Sequence, residues 1–479
     1  MKAHPIAALV IMLAGSALAA GPLTLQALTP TSGSGAEQLL DGNPATGWRP
    51  DGDPVNEGVL LRLEEPVSFG SIALQPCPGS PALQVEISVD GAPIDPKKAS
   101  VAAGKESVFS FSAHKSRSVF VKLLAPAPAQ ACLGEIRLLS EGKPLDVKAP
   151  RLVPGRIQAS SVLEPADAYH PSFLFDGRTD FGWVEGAKGT GAGESITLTL
   201  EAPVELVGLE LWNGYQRSED HFRKNARAGQ LSLSVDGGAP IVLKVKDASG
   251  PQMLKLPAPV KGQTLKLTVD KAIAGTKYQD LVLSELRLVD AQGPLSVRTS
   301  DADARRKAFQ AELAGTSLGK VVDRSWSKRC ESDNGRATRT FKARTNHTFV
   351  FYDQVTGTEN DEDHDEVLDG AWVVKKVAKP WTAIELYGRR HRVDTKSWNP
   401  YEEGPRETES TRIGGGTLEI ARVADMDEPA FQKLVAEWSK ASQSEVVSCV
   451  GQKGNTYKDL VAADAILVRG PAVTELLAP

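Results

Sequence analysis

The chain has 479 residues, 41% of them hydrophobic and 24% charged, so its length suits about three soluble globular domains. Its net charge of −5 offers no basic surface, which argues against nucleic acid or an anionic membrane as a partner. No stretch after the N-terminus approaches the ~20 apolar residues of a transmembrane segment.

The first 20 residues have the pattern of a secretory signal peptide. Lys2 and His4 belong to a short basic segment, and residues 6–14 are apolar. Ala17 and Ala19 are the small residues that a signal peptidase requires just before its cleavage site. No Cys follows this segment to carry a lipid. The mature protein is therefore predicted to be secreted or periplasmic.

The cysteine content agrees with export. The chain has four cysteines, which permit three pairings. The simplest pairing stays within domains, and no Cys-x-x-Cys spacing indicates a zinc site. The sequence predicts two disulfides, Cys77 with Cys132 and Cys330 with Cys449.

Residues 38–48 and 173–183 share one pattern: an apolar pair, Asp-Gly, a short loop and Gly-Trp. Asp-Gly turns the chain sharply, because Gly accepts positive φ and Asp can bond the backbone ahead of it. The Trp is large enough to fill the end of a small sandwich core. Three more blocks recur in the same order, at 61–67 and 198–204, 89–91 and 235–237, and 134–138 and 284–288. This order predicts a duplicated all-β domain.

Period-two alternation predicts the strands of both copies. The first copy has such runs at 85–89 and 119–123, and the second at 195–200, 209–212, 230–235 and 265–269. A proline-containing linker separates the copies, and a short charged helix, within 299–314, follows the second.

The C-terminal third is predicted to be an antiparallel β domain with one packed helix. Asp427 can cap that helix and Pro429 suits its first turn. Its apolar stripe consists of Phe431, Leu434, Val435 and Trp438, the strand candidates are 339–343, 348–352, 370–374, 383–387 and 416–420, and 464–469 is a candidate last strand.

The segment from Trp212 to Arg227 is the best candidate for a binding site. Sugars present an apolar C–H face and a rim of hydroxyls, which aromatic rings and amide or guanidinium groups can bind. Loops at the end of a rigid sandwich commonly carry such sites. The alternative is that Trp212 and Phe222 are core and Asn225 only holds a turn; Trp212 ends an alternating strand, so we expect it in the core. The predicted glycan-binding residues are Tyr215, Arg217, His221, Lys224, Asn225 and Arg227.

The middle third holds an ordered set of motifs: Asp176-Gly177, the glycine-rich stretch 186–194, the blocks 212–218 and 221–227, and 277–285. Together they resemble the NADase-type glycan-binding domain, one of the discoidin-like, galactose-binding-like jelly rolls. The resemblance implies an extracellular or cell-surface glycan as partner. The first third lacks the Asn-Gly-Tyr and Lys-Asn-Ala-Arg blocks and resembles only the broader discoidin-like class. The C-terminal third is similar to lipocalin-like barrels in its Gly-Ala-Trp strand after a Phe-rich hairpin.

The discoidin-like resemblance also implies a structural calcium site in the Asp-Gly loops. Asp41, Thr46 and Glu135 fit the loop Asp, the following Thr and the late Glu of that pattern. In the second copy Phe181 replaces the Thr, which favours an Asp that only caps its own turn. Calcium needs several oxygen ligands, many of them backbone carbonyls.

Catalytic motifs are not found. The acidic run 359–366 does not follow an EF-hand order and indicates a solvated hairpin tip. Glu407 and Glu409 have a spacing that some NAD-cleaving enzymes use, but 401–410 has the composition of a charged loop. There is no Gly-x-Ser-x-Gly, His-Glu-x-x-His or phosphate loop.

The prediction is an all-β, secreted, non-catalytic carbohydrate-binding protein without a cofactor, apart from the candidate calcium. Two tandem discoidin-like jelly-roll β-sandwiches precede a β-rich domain with one packed helix. The alternatives are a secreted glycan- or NAD-cleaving enzyme whose C-terminal domain is catalytic, and a scaffold that binds a protein partner. The predicted boundaries are 1–20 for the signal peptide, 21–147 and 156–298 for the sandwiches, 299–314 for the linker and 315–479 for the C-terminal domain.

Overall fold

The structure is a computed structural model, and it describes residues 23–299, 301–328, 336–356, 364–394, 406–410, 416–441, 450, 452–470 and 473–478. The predicted signal peptide lies outside the described residues, as do Cys330, Cys449 and most of the acidic run. Within the described chain, no helix has the length and apolar character needed to cross a membrane.

The first nine strands form one mostly antiparallel β-sandwich around a single apolar core. The long strand β2 organises it, since β2 pairs with β1, β6 and β7. The strands are β1 (Leu23–Pro30), β2 (Gly58–Pro76), β3 (Leu83–Val89), β4 (Ala92–Pro93), β5 (Ala99–Val101), β6 (Ser107–Leu123), β7 (Leu133–Ser140), β8 (Lys143–Pro144) and β9 (Val147–Lys148).

The next eight strands form a second sandwich, in which β12 has the same role that β2 has in the first. β12 pairs with β10, β15 and β16. The elements are β10 (Arg151–Ala159), β11 (Trp183–Val184), β12 (Ser195–Asn213), α1 (Glu219–Lys224), β13 (Arg227–Val235), β14 (Ile241–Lys244), β15 (Pro251–Ile273), β16 (Val282–Asp290) and β17 (Gly293–Thr299).

The C-terminal domain begins with a helix and continues as an antiparallel sheet. Its elements are α2 (Asp301–Leu313), β18 (Trp326–Lys328), β19 (Arg336–Ala343), β20 (Thr348–Thr356), β21 (His364–Ala378), β22 (Trp381–Asp394), β23 (Arg406–Ser410), β24 (Thr417–Arg422), α3 (Glu428–Ala441), α4 (Tyr457–Ala462), β25 (Ile466–Gly470) and β26 (Val473–Ala478). Single-turn 3-10 helices along the chain are Ala36–Leu40, Ala166–Ala168, Pro171–Phe175, Ser317–Lys320 and Val423–Asp425. The predicted fold class is confirmed.

The C-terminal sheet closes on itself. The order β21-β20-β19-β18-β26-β25-β24-β22 returns to its start because β22 also pairs with β21, which gives an eight-stranded barrel. Eight strands leave an interior that side chains can fill. Trp326, Phe341 and Trp372 fill it, and Phe309 of α2 packs against them. The barrel is therefore a packed core.

Helix α3 packs on the outside of the barrel. Ile466 and Val468 face the interior, whereas Leu467 between them belongs to the outer cluster with Phe431 and Leu434, as period-two alternation requires. The Asp427 carboxylate accepts a hydrogen bond from the Ala430 amide at 2.7 Å, so the predicted cap is confirmed.

Three predictions for the C-terminal third are corrected. Residues 406–410 form strand β23 against β22, because the second half of β22 would otherwise leave an unpaired edge. The strand at 466–470 is not the last, since β26 follows and pairs with it. A second helix, α4, begins at a capping box formed by Thr456 and Asp459.

The repeated Gly-Trp motif places both tryptophans at like positions. Trp48 Nε1 donates to the Ser32 carbonyl at 2.8 Å, and Trp183 Nε1 donates to the Ser161 carbonyl at 2.9 Å. Both rings are fully buried. In the second copy the preceding residue must be glycine, because a Cβ on Gly182 would lie 2.4 Å from the backbone oxygen of Leu283.

The three domains contact one another. Glu57 of the first sandwich is fully buried and pairs with Lys342 of the barrel at 2.6 Å. Arg178 of the second sandwich pairs with Asp369 of the barrel at 2.9 Å. The two sandwiches meet through polar contacts: Arg287 with Glu64 at 3.0 Å, and the Thr29 hydroxyl with the Asp176 carbonyl at 2.9 Å.

Candidate functional site

The loop between β12 and β13 is anchored at its base and contains helix α1. The side chain of Asn213 bonds both backbone groups of Ala228, with N···O distances of 2.8 and 2.9 Å. Gly214 has a φ of +74°, and a Cβ there would lie 2.7 Å from the Phe222 ring. Ser218 then caps α1 by accepting a hydrogen bond from the His221 amide. The loop therefore presents its side chains in fixed positions.

Tyr215 lies inside the sandwich end, where it packs against Val184 and Val282 and is 8% exposed. Burial raises the pKa of its phenol well above the ordinary value. The expectation that this ring faces solvent is wrong, because strands from two other parts of the sandwich enclose it. Trp212 and Phe222 are also buried, so the core assignment of Trp212 is confirmed.

Arg217 is the half-buried residue that this packing orients. Its Cζ lies 4.8 Å from the centre of the Tyr215 ring, and its Nε donates to the Asp180 carbonyl at 2.9 Å. Within the part of the chain that the structure describes, its two terminal nitrogens have no hydrogen-bond partner. The guanidinium is thus fixed in place with donors to spare.

The other predicted residues mainly hold the loop. Lys224 pairs with Asp220 within α1, and the Asn225 amide donates to the His221 carbonyl at 2.9 Å. Arg227 forms an ion pair with Asp247 and lies over Phe222. The His221 imidazole bonds the Ser218 hydroxyl at 2.9 Å and meets the Tyr215 ring in a T-shaped contact, with the ring centres 5.3 Å apart. The structure therefore does not bring all six side chains to one surface.

Around Arg217 the structure gathers residues that the sequence reasoning did not select. Tyr169 is half-buried, and its ring centre lies 5.9 Å from that of Tyr387 in the barrel. Burial raises the pKa of Tyr169; Arg217 opposes that shift, while Asp280 and Glu385 add to it. The sequence contains only a weak indication of Tyr169. Aromatic residues are rare, at 6% of the chain, so every tyrosine of the second sandwich is a candidate for a binding surface.

A neighbouring histidine holds the segment that carries Tyr169. His170 precedes the 3-10 helix Pro171–Phe175, and its Nδ1 accepts a hydrogen bond from the Ser172 amide at 3.1 Å. Burial, and then the positive charge of Arg305, lower the pKa of His170 from 6.5 to about 4, against the opposing effect of Asp167. The folded state therefore keeps this imidazole neutral.

We expect a pH-dependent loss of stability from His170. Because its folded-state pKa is below the unfolded value, stability is lost as the pH falls from 6.5 towards about 4. His170→Asn retains a capping acceptor but cannot titrate. Thermal melting should show similar stability of variant and wild type at pH 7.5, and a growing advantage of the variant below pH 6.5.

The matched control is His114→Asn, since His114 is exposed on β6. That change should leave the acid response of the protein as it is in the wild type. Equal acid sensitivity of the wild type and His170→Asn would contradict the assignment.

The candidate calcium residues lie together in the first sandwich. The Asp41 carboxylate accepts hydrogen bonds from the Thr46 hydroxyl at 2.8 Å and the Asn43 amide at 2.7 Å. Glu135 is 6% exposed, and its Oε1 has no hydrogen-bond partner among the described residues. Burial, and then Asp41, raise the pKa of Glu135 to about 7.

An unpartnered buried carboxylate oxygen beside a second carboxylate and a hydroxyl fits a hard cation. Asp41, Thr46 and Glu135 would hold calcium there, and the ion would rigidify the loop. Within the described ranges, no cluster of three or more His, Cys, Asp or Glu side chains has metal-binding geometry, so backbone oxygens would have to complete the shell.

The second copy places a guanidinium in the corresponding region. Burial raises the pKa of both Asp176 and Glu285, which are the counterparts of Asp41 and Glu135. Arg178 lies over the Phe181 ring, at 4.5 Å, and pairs with Asp180 at 2.7 Å. Phe181, where the first copy has Thr46, stacks on an apolar neighbour and offers no oxygen ligand. The preference for a calcium-free second loop therefore remains.

The second sandwich is similar to discoidin-like, F5/8 type C domains. Residues 151–289 match the family of the NAD glycohydrolase translocation F5/8 type C domain, which confirms the predicted resemblance of the middle third. No curated protein matches the sequence significantly.

Several solved structures are similar in part. The CBM32-1 and CBM32-2 domains of Clostridium perfringens ZmpB, in complex with GalNAc, align over 55% of this chain and 89% of their own, at 11% identity and a TM-score of 0.23. A fucolectin from striped bass (Morone saxatilis) serum aligns over 55% and 94%, at 14% identity and 0.21. The mycobacterial arabinofuranosyltransferase AftD aligns over 78% and 38%, at 12% identity and 0.25. With TM-scores this low, the three likenesses carry no functional argument.

Proposed function

We propose that this is a secreted or periplasmic, non-catalytic carbohydrate-binding protein that recognises glycans through the β12–β13 side of its second sandwich. The observation that carries the proposal is Arg217, which is fixed by the Tyr215 ring and the Asp180 carbonyl while its terminal nitrogens stay uncommitted among the described residues. A pre-oriented donor loses little entropy when it binds a hydroxyl.

Aromatic side chains at the same end of the sandwich support the proposal. The Tyr278 amide donates to the Lys224 carbonyl of α1 at 2.8 Å, and its side chain is 42% exposed, with Lys277 Nζ 4.9 Å from the ring centre. Tyr169 is half-buried. Aromatic faces cover the C–H side of a pyranose, and a guanidinium bonds its hydroxyls. The family match of residues 151–289 is consistent with this use of the loop end.

Arg217→Ala should weaken glycan binding by about 10-fold or more, because a charge-assisted hydrogen bond is lost. The measurement is a glycan array with the mature chain, followed by titration calorimetry on the best glycan. Arg156→Ala is the matched control, since Arg156 is exposed on β10 of the same sandwich and should be neutral. Undiminished binding by Arg217→Ala would exclude this site.

The non-catalytic part of the proposal has its own test. The mature chain should neither hydrolyse NAD nor shorten the glycans that it binds. Turnover of either substrate would favour the alternative of an exported enzyme with a catalytic C-terminal domain.

A further inference from the structure

The surface around Arg217 extends across the boundary between the second sandwich and the barrel. Tyr169 stands on the sandwich side, and Tyr387 of β22 faces it from the barrel, with the ring planes inclined at 70°. Glu385, two residues earlier on β22, keeps 33% of its side chain exposed. The domain boundary is therefore open to solvent at this point and lined from both sides.

Contacts below this surface fix the two sides to each other. Phe173 and Phe181 stack at 5.0 Å and pack with Ala371 and Tyr387 of the barrel. Arg178 bridges Asp180 and Asp369 across the same boundary. A ligand on the surface would meet a preformed arrangement, which reduces the cost of ordering it.

The polar groups of the surface are complementary in kind. Arg217 supplies donors from the sandwich, while Asp280 on the sandwich and Glu385 on the barrel, both near enough to Tyr169 to affect its pKa, supply carboxylates that accept. Tyr387 and Glu385 lie two residues apart on β22, so the barrel presents a phenol and a carboxylate from the same side of that strand. These four side chains are all partly buried, and partial burial strengthens the hydrogen bonds that they form.

We propose that the carbohydrate site is composite: the barrel residues Glu385 and Tyr387 complete it, and its ligand is an uncharged pyranose. This inference rests on the proposed function. Tyr169 and the face of Tyr278 opposite Lys277 offer apolar surface to the sugar ring. Arg217 donates to the sugar oxygens, and the carboxylates of Asp280 and Glu385 accept from its hydroxyls.

The charge of the surface sets the ligand class. The carboxylates of Asp280 and Glu385 stand with three cations: Arg217, Lys277, whose Nζ lies 4.9 Å from the centre of the Tyr278 ring, and Lys375, whose Nζ lies 3.4 Å from Glu385. The charges of the surface are therefore close to balance, which favours a neutral ligand. A uronate or sialate would place a third carboxylate beside Asp280 and Glu385, and like charges at close range disfavour binding. Neutral hexoses and N-acetylhexosamines carry no such penalty.

The test uses the full mature chain, with binding to neutral and acidic glycans on an array and affinities from calorimetry. Glu385→Gln keeps the shape of the side chain, and Tyr387→Phe keeps the ring that packs on Phe173 and Phe181. Each should weaken binding of neutral glycans by about 10-fold or more, like Arg217→Ala, without a large change in melting temperature. Glu437→Gln, on the exposed side of α3, is the matched control and should bind as the wild type does.

The outcomes separate the two proposals. If Arg217→Ala loses binding while both barrel variants bind as the wild type does, the glycan function stands and the composite site is wrong. Preference for acidic glycans would overturn the ligand class. If the wild type binds no glycan, both proposals fall. If one barrel variant fails to fold, the other still decides the question.

Discussion

Glu57→Gln is expected to lower the free energy of unfolding by about 3–5 kcal/mol, because it leaves buried cations without their counter-charge. Glu57 and Lys342 are both fully buried, with Oε1 to Nζ at 2.6 Å. Arg344 donates from Nε to both carboxylate oxygens, at 2.9 and 3.0 Å. Neutralising the acid therefore strands two positive charges at the contact between the first sandwich and the barrel.

The pKa of Glu57 is lowered, as expected for a carboxylate held by two cations. Burial alone would raise it, but Arg344 and Lys342 outweigh burial and hold it below the ordinary value of 4.5. A lowered folded-state pKa means that this contribution is complete above about pH 4.5 and is lost as the pH falls further. The destabilisation by Glu57→Gln should accordingly be measured at neutral pH.

Urea and thermal unfolding at pH 7 are the measurements. Glu37→Gln is the matched control: its partner Arg298 also lies in another domain, but the pair is exposed, with side-chain exposures of 37% and 58%. That change should cost less than about 1 kcal/mol. Equal stability of the two variants would show that the buried cluster contributes no more than a surface pair.

Removing the disulfide of the first sandwich should lower the free energy of unfolding by about 4 kcal/mol. Cys77 and Cys132 are bonded across 55 residues of sequence, and a loop of that length restricts the unfolded chain strongly. Both sulfurs belong to residues that are 1% exposed, so the bond lies at the core. The predicted pairing of these two cysteines is confirmed.

Two double variants separate the crosslink from the chemistry of its replacement. Cys77→Ala with Cys132→Ala, and Cys77→Ser with Cys132→Ser, both lose the crosslink, but only the second buries hydroxyls. Both should melt far below the wild type, with the serine pair somewhat lower. An alanine pair as stable as the wild type would mean that the crosslink does not limit unfolding.

The structure could be predicted from the sequence wherever it depends on a local pattern. The repeated Asp-Gly and Gly-Trp pairs located both sandwich ends, because a buried Trp and a close glycine contact depend on neighbours within one motif. Asp427 and the apolar stripe after it located α3 for the same reason. Helix α4 had a readable start as well, since Thr456 and Asp459 form a capping box.

The candidate site depended on contacts that no local pattern contains. Tyr215 lies in a segment whose composition is typical of a recognition loop. Its ring is buried because Val184 and Val282, from strands distant in sequence, pack against it. Tyr169 and Tyr387 belong to different domains, so their proximity follows from domain docking alone. Closure of the barrel likewise rests on the pairing of β21 with β22 around a complete circuit.

The two Asp-Gly loops, equal in origin, have unequal freedom to change. In the first sandwich Asp41, Gly42 and Asn43 are exposed. In the second, a Cβ on Gly177 would lie 2.7 Å from the Ala27 side chain, and Phe181 is 2% exposed beneath the barrel. Insertions or bulky side chains fit the first tip without moving another domain. The same changes in the second would push against the first sandwich at Gly177 and against the barrel at Phe181, so the later tip is held between two domains while the earlier one remains an ordinary surface loop.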